Sequence, residues 1–255
     1  MIFKRVDSEP LRDLDGSLPD DEVHVWQVDL VAWEKDAESL FELLNAEERD
    51  RAARFKFPQP RNQFVISRAL LRRSLGRYLG IEAREVQFRV TANGKPELAA
   101  NSAFLRIEDL RFNLSHTHGV TAFAVTRRRQ VGIDVERIRE DTNAMELAER
   151  YFSRQEVEWL QSQPAPQVVA AFFSCWTAKE AYIKAHGEGL SMPLDSFGIL
   201  PLAGATDSEL QLKVYEDLEE SRRWSMWRLN LGRDLRSALA VEGTKCRVRS
   251  GRIVR

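Results

Sequence analysis

Four short stretches of this 255-residue chain carry side chains suited to ionic chemistry. In VGIDVE, Asp134 and Glu136 stand at i and i+2, so on a strand their carboxylates share one face while Ile133 and Val135 take the other. Adjacent like charges raise each other's pKa unless a cation offsets them, and hard oxygen donors of this sort suit Mg2+. Taken alone, the same pair is also what a solvent-facing strand end carries. In FFSCWTAKEAYIKAHGEGL, Glu180 and Lys184 are one helical turn apart, with Trp176 a turn before them. A surface pair of this kind contributes only about 0.3–0.5 kcal/mol. Phe172, Phe173, Ala181, Tyr182 and Ile183 around it imply burial, however, and a partly buried pair is costly unless it has a task. In FNLSHT, Ser115 and His116 end an apolar strand, and three roles stay open for His116: general base, phosphate ligand or a structural histidine tying a turn. With no acid placed beside it and no nucleophile elbow, a serine-hydrolase triad is disfavoured. Lys95 in NGKP is a cation on a tight turn, equally readable as a plain surface lysine.

The elements that must position these groups follow from periodicity. After a polar lead-in loop from Met1 to Asp21, a strand is predicted at Val23–Leu30. Asn45 precedes a charged helical segment that stops at Pro58, and from Arg61 to Leu79 apolar residues recur at helical spacing up to Gly80. Strands are predicted at Val86–Val90, Leu110–Leu114 and Val120–Thr126, with NGKP turning between the first two; VGIDVE is a further strand. A second long helix runs from Gln167 to about His186, followed by strands ending at Ala238–Val241. Arg68, Ala69 and Arg72 fall at the helical positions of Glu180, Ala181 and Lys184, and AFAV (Ala122–Val125) echoes ALAV (Ala238–Val241). The expected fold is therefore α+β, a pseudo-dimer of two similar halves, residues 1–127 and 128–255. Each half packs a long helix on a small, mainly antiparallel sheet. A Rossmann-type sheet is disfavoured because the elements come in runs and neither GxGxxG nor GxxxxGK[ST] is present.

Composition bounds the rest. Hydrophobic residues at 43% and charged residues at 30% describe a globular chain able to bury a core. The 38 Lys+Arg against 39 Asp+Glu leave a net charge of -1, so no global field draws the chain to nucleic acid or an anionic membrane, and any anion site must be built locally. Cys175 and Cys246 make neither a disulfide framework nor a metal pattern. The first residues lack an apolar run, and no uncharged stretch approaches the ~20 residues that span a bilayer. A cytoplasmic monomer with no nucleic-acid or membrane partner is the expectation.

As an ordered set, FNLSHT, VGIDVE and WTAKEAYIKAHGEGL resemble the 4'-phosphopantetheinyl transferase superfamily, in particular its two-domain, surfactin-synthetase-activating branch. NGKP, Arg54–Phe55 and MPLDSF at Met192–Phe197 also look like that branch, so the resemblance runs from about Glu47 to Val241. It implies an enzyme that moves the phosphopantetheine arm of coenzyme A onto a serine of an apo acyl, peptidyl or aryl carrier protein, releasing adenosine 3',5'-bisphosphate, with one coenzyme A site in the cleft of the pseudo-dimer. By motif, Asp134, Glu136 and Glu180 are implied as ligands of Mg2+, for which Mn2+ would substitute. Lys184 is implied as the residue that stabilises or protonates the leaving oxygen. Glu180 is the favoured base for the carrier serine, a metal-bound water being the other route. Ser115, His116, Asp134 and Lys184 are implied at the coenzyme A phosphates, Lys95 and Arg51 near the 3'-phosphate and adenosine, and Lys179 beside the nucleotide. In PRNQF, Gln63 and Phe64 stand where related sequences often place a basic or hydroxyl residue, which leaves Arg61 as the substitute. One or two of Met145, Leu147 and Phe152, flanked by Arg150 or Arg154, are expected to be exposed near the cleft at the carrier-docking surface. Two rival readings are a non-catalytic coenzyme A or carrier-protein binding module, which would lack the carboxylates, and a different Mg2+-dependent phosphodiester enzyme, which would consume another nucleotide.

Overall fold

The computed structural model of the chain describes residues 16–99, 109–187, 189, 192–202, 204 and 208–255. Its first half contains β1 (Glu22–Asp29), α1 (Ala37–Phe41), α2 (Ala46–Ala53), α3 (Pro58–Leu79), β2 (Phe88–Val90), β3 (Pro96–Leu98), β4 (Leu110–Thr117) and β5 (Val120–Arg127). The second contains β6 (Val131–Arg137), α4 (Ala144–Tyr151), α5 (Arg154–Gln161), α6 (Val168–His186), β7 (Phe197–Pro201), β8 (Glu209–Val214), α7 (Leu218–Arg223), β9 (Trp224–Leu229) and β10 (Leu235–Glu242). A last strand, β11 (Arg247–Ile253), follows. Pro58 opens α3 and does not merely end the preceding segment, because the first turn of a helix has no use for its missing N–H. NGKP closes the hairpin of β2 with the short strand β3, an element the periodicity did not show.

Alternation along the strands sorts side chains into layers. In the sheet ordered β11-β1-β5-β4, Trp26, Val28, Phe123 and Val125 face α3, while Val23, Val25, Ala122 and Ala124 face the second sheet. In the sheet ordered β6-β10-β9-β8-β7, Ile133, Val135, Leu239 and Val241 meet that inner layer, and Ala238 and Ala240 lie under α6. The result is helix, sheet, sheet, helix. Ala122 and Ala238 thus face opposite ways, so the AFAV and ALAV echo is out of register by a residue, a slip that flips every side chain. The strand β11 runs parallel to β1 in the first sheet, although a division at 127/128 assigns it to the second half.

The duplication shows at the helix ends and in a buried charge. Both α3 and α6 end on a glycine in the left-handed region, Gly80 (φ 70°) and Gly187 (φ 88°). Superposing the caps aligns Arg72 with Lys179 and Arg73 with Glu180, a different register from the one the sequence suggested. Structure supports the new register. Glu48, in the capping box of α2 with Asn45, accepts from Arg72 Nε at 2.7 Å, and Glu156, in the capping box of α5 with Ser153, pairs with Lys179 Nζ at 2.8 Å. Each cation also lies over a phenylalanine, Phe88 or Phe197.

Candidate active site

The site begins at a residue without a side chain. A methyl at Gly132 would collide with the Ala181 carbonyl and the Ala185 nitrogen, so glycine lets α6 settle directly on β6. Asp134 and Glu136 follow on that same face, and Lys184 on α6 reaches them from beside the contact. Lys184 Nζ donates to Asp134 Oδ1 at 2.6 Å and to Ser115 Oγ at 3.2 Å. Its partner is thus Asp134 on the strand beneath the helix, not Glu180 one turn back as helical spacing suggested. Asp134 is 4% exposed, and its second oxygen, Oδ2, is buried with no hydrogen-bond partner. Burial, reinforced by the Asp134 charge, raises the pKa of both Glu136 and Glu180.

Ser115 comes from the other half, where β4 lies alongside β6. Its hydroxyl is buried and donates to Asp134 Oδ1 at 2.8 Å, so the structure commits it to the carboxylate and not to an open phosphate site. His116, the next residue on β4, points the other way and is exposed. Its pKa is lowered by partial burial and by the nearby charges of Lys184 and Arg51. Arg51 lies over the Phe64 ring at 5.0 Å, so Phe64 works as a platform for that cation where a phosphate ligand had been sought. Arg68, named from the sequence only as part of the helix repeat and not as a site residue, stands near Arg51; its Nε pairs with Glu48 at 3.1 Å while its Nη1 is buried and unpartnered. A basic residue amid the apolar stripe of a long helix was the signal for it.

Three expected site residues are engaged elsewhere. Lys179 is fully buried, bonded to Glu156 and to the carbonyls of Leu194 and Phe197, each at 2.7 Å, and does not reach the cleft. Those carbonyls belong to MPLDSF, which explains that stretch as a receptor for the lysine. Lys95 Nζ lies between the carbonyls of Ala185 (3.4 Å) and Val131 (3.5 Å), and burial pushes its pKa down to about 8. Arg61 is tied to Glu38 at 2.7 Å. Phe152 is core, stacked on Phe172; the exposed apolar side chain nearby is Tyr151, under Arg150. Glu188 and Leu190 of the helix motif lie outside the described residues.

The model of the 4'-phosphopantetheinyl transferase superfamily matches residues 130–240, and that of the 4'-phosphopantetheinyl transferase N-terminal region matches 29–128. The 4'-phosphopantetheinyl transferase HetI of Nostoc sp. is 41% identical over 175 residues, 69% of this chain and 73% of the relative. The chain belongs to the 4'-phosphopantetheinyl transferase superfamily. Sfp of Bacillus subtilis is 26% identical over 166 residues (65% of this chain, 70% of the relative), which places the chain with the two-domain branch. The human L-aminoadipate-semialdehyde dehydrogenase-phosphopantetheinyl transferase is 28% identical over 193 residues, 71% of this chain and 62% of the relative.

Membership implies a divalent cation, and the donor set fits one chemically. Asp134, Glu136 and Glu180 offer hard oxygens, Asp134 Oδ2 is buried without a partner, and the carboxyl pKa values of Glu136 and Glu180 are raised by burial and by the Asp134 charge, a cost that a cation relieves. As they stand, no three acidic, histidine or cysteine side chains among the described residues are closed around a common point. The ammonium of Lys184 supplies the positive charge at Asp134 instead.

Proposed function

We infer that this protein transfers the 4'-phosphopantetheine arm of coenzyme A to a serine of an apo carrier protein and releases adenosine 3',5'-bisphosphate. One observation carries the reading: Asp134 and Glu136 of β6, Glu180 and Lys184 of α6, and Ser115 and His116 of β4 meet at the junction of the two sheets. In the reaction the serine oxygen bonds to the diphosphate phosphorus that carries the pantetheine arm. The bond from that phosphorus to the bridging oxygen breaks, and the serine proton passes to a base. Asp134, Glu136 and Glu180 would hold Mg2+ or Mn2+, which when bound supplies charge neutralisation to the diphosphate.

Glu180, whose pKa burial raises above the ordinary carboxylate value, is the proposed base for the serine proton. Lys184, whose side chain is 29% exposed, is placed to donate to the leaving oxygen while it holds Asp134. Arg51 and Arg68 would supply the cationic rim for the remaining phosphates, with His116 beside them as a hydrogen-bonding imidazole, and Lys95 stands behind the rim in the hairpin. The reading treats the chain as two halves, 1–127 and 128–255, with coenzyme A between them, acting as a cytoplasmic monomer; no described helix is long and apolar enough to cross a membrane. The carrier docks on α4, where Tyr151 is exposed beside Arg150 and where Met145 and Leu147 are half-buried.

The test is incubation of several apo carriers with coenzyme A and Mg2+, read by intact mass. A phosphopantetheine mass shift that disappears in chelator, and in Asp134→Ala by on the order of 10²-fold or more in rate, is the expected result. Binding of coenzyme A without transfer would favour the non-catalytic module, and consumption of another nucleotide would favour a different phosphodiester enzyme.

A further inference from the structure

The edges of the two sheets are not joined by a backbone ladder. The last strand of one, β4, and the first of the other, β6, lie side by side, and side chains of β4 take the place of the missing carbonyls. Asn113 Oδ1 accepts from Ile133 N at 2.9 Å, Ser115 Oγ from Val135 N at 3.3 Å, and Thr117 Oγ1 from Arg137 N at 3.2 Å. Three polar side chains at period two thus cover three successive outward N–H groups of an edge strand.

The two hydroxyl rungs do more. Ser115 Oγ donates to Asp134 Oδ1 at 2.8 Å, and Thr117 Oγ1 donates to Glu136 Oε2 at 3.4 Å. A hydroxyl has one proton to give. Because each rung accepts from the N–H that follows a carboxylate in β6, its own proton is left to point at that carboxylate. The spacing S-x-T in β4 therefore matches D-x-E in β6, rung for rung. The asparagine rung stands opposite Gly132, which has no side chain to orient.

We propose that Ser115 and Thr117 form a hydroxyl ladder across the junction of the halves that orients the two strand carboxylates, with Thr117 the positioning residue for Glu136. The ladder sets where a cation's oxygen ligands stand relative to the other half, so the register of β4 on β6 fixes the geometry of the site. This rests on the reading of Asp134 and Glu136 as metal ligands given above.

The experiment is calorimetric titration of the full chain with Mn2+ in the presence of coenzyme A, together with thermal melts. Thr117→Val keeps the branched shape and removes the hydroxyl; Thr117→Ser keeps the hydroxyl and removes the methyl. Groups that orient metal ligands typically contribute about 10- to 100-fold in affinity. Thr117→Val is therefore expected to weaken Mn2+ binding at least about 10-fold while its melting temperature falls by no more than about 2–4 °C, the shift of roughly 1 kcal/mol in a chain this long. Thr117→Ser is expected to bind as the wild type does. Wild-type affinity in Thr117→Val, or equal weakness in Thr117→Ser, overturns the ladder alone. Absence of Mn2+ binding by the wild type overturns the metal reading and the ladder with it. If Thr117→Val does not fold, Thr117→Ala takes its place, and failure of both while Thr117→Ser folds would assign Thr117 to stability and overturn the positioning role.

Discussion

Lys184 serves two groups that pull in opposite directions. In the described structure it neutralises Asp134, a carboxylate 4% exposed, from 2.6 Å. In the proposed transfer the same ammonium would also serve an oxygen that gains charge only as its bond breaks. An interaction that strengthens in the transition state lowers kcat when removed, more than it raises KM. Lys184→Ala is thus expected to lose mainly kcat in steady-state kinetics with coenzyme A as the varied substrate. A change confined to KM would make Lys184 a ground-state clamp. The neighbouring Lys179 shows that residue type alone does not assign such a role. It sits one residue before Glu180, yet it is fully buried on Glu156. Breaking one member of a buried pair typically costs about 3–5 kcal/mol. Lys179→Met should accordingly lower the melting temperature strongly, while the folded fraction keeps its KM for coenzyme A; a raised KM in a normally stable variant would return Lys179 to the nucleotide.

Among elements, the hairpin of β2 and β3 has a part that its sequence only half announced. The turn NGKP does place a lysine at a tight bend, as read. The hairpin, however, folds onto the end of α6, where Asn93 Nδ2 donates to Gly187 O at 2.9 Å and Lys95 Nζ approaches the carbonyl of Ala185. The last carbonyls of a helix lack partners within it, and the hairpin supplies them from the other half. Burial of the ammonium lowers its pKa from 10.5 to about 8. Between those values the unfolded chain holds a proton that the folded one does not, so stability rises with pH through that window, and below it the folded state bears the cost of a buried charge. The melting temperature of the wild type relative to Lys95→Met is expected to climb between about pH 8 and 10.5. A difference flat across that range would show that the ammonium does not titrate there. The carbonyl contacts also rule out the alternative of a free surface lysine. Nothing local to NGKP reveals the helix end it lands on.

At the scale of the molecule, β11 closes the chain back on its start, pairing from Glu22↔Arg247 to Val28↔Ile253 and placing Arg247 3.1 Å from Asp21. Removal of residues 243–255 leaves the edge of β1 open, and an unpaired strand edge is a template for association. The truncated chain is expected to melt at lower temperature and to elute as larger species in gel filtration; unchanged melting and elution would show that β11 is dispensable. That strand is not legible locally because RVRSGRI is charged and carries a glycine, and nothing in it points to β1, more than two hundred residues away. The sequence by itself determined the two long helices, the face shared by Asp134 and Glu136, and the family to which the ordered motifs point. Those features follow from the 2.0 and 3.6 periods of the backbone and from side-chain chemistry, both local. Tertiary structure alone decided that Lys184 meets Asp134, that Ser115 turns to a carboxylate, that Lys179 and Phe152 go inward, and that β4 zips onto β6. Each depends on where one element lands on another, and that is set by packing between residues far apart, such as α6 on the bare backbone of Gly132.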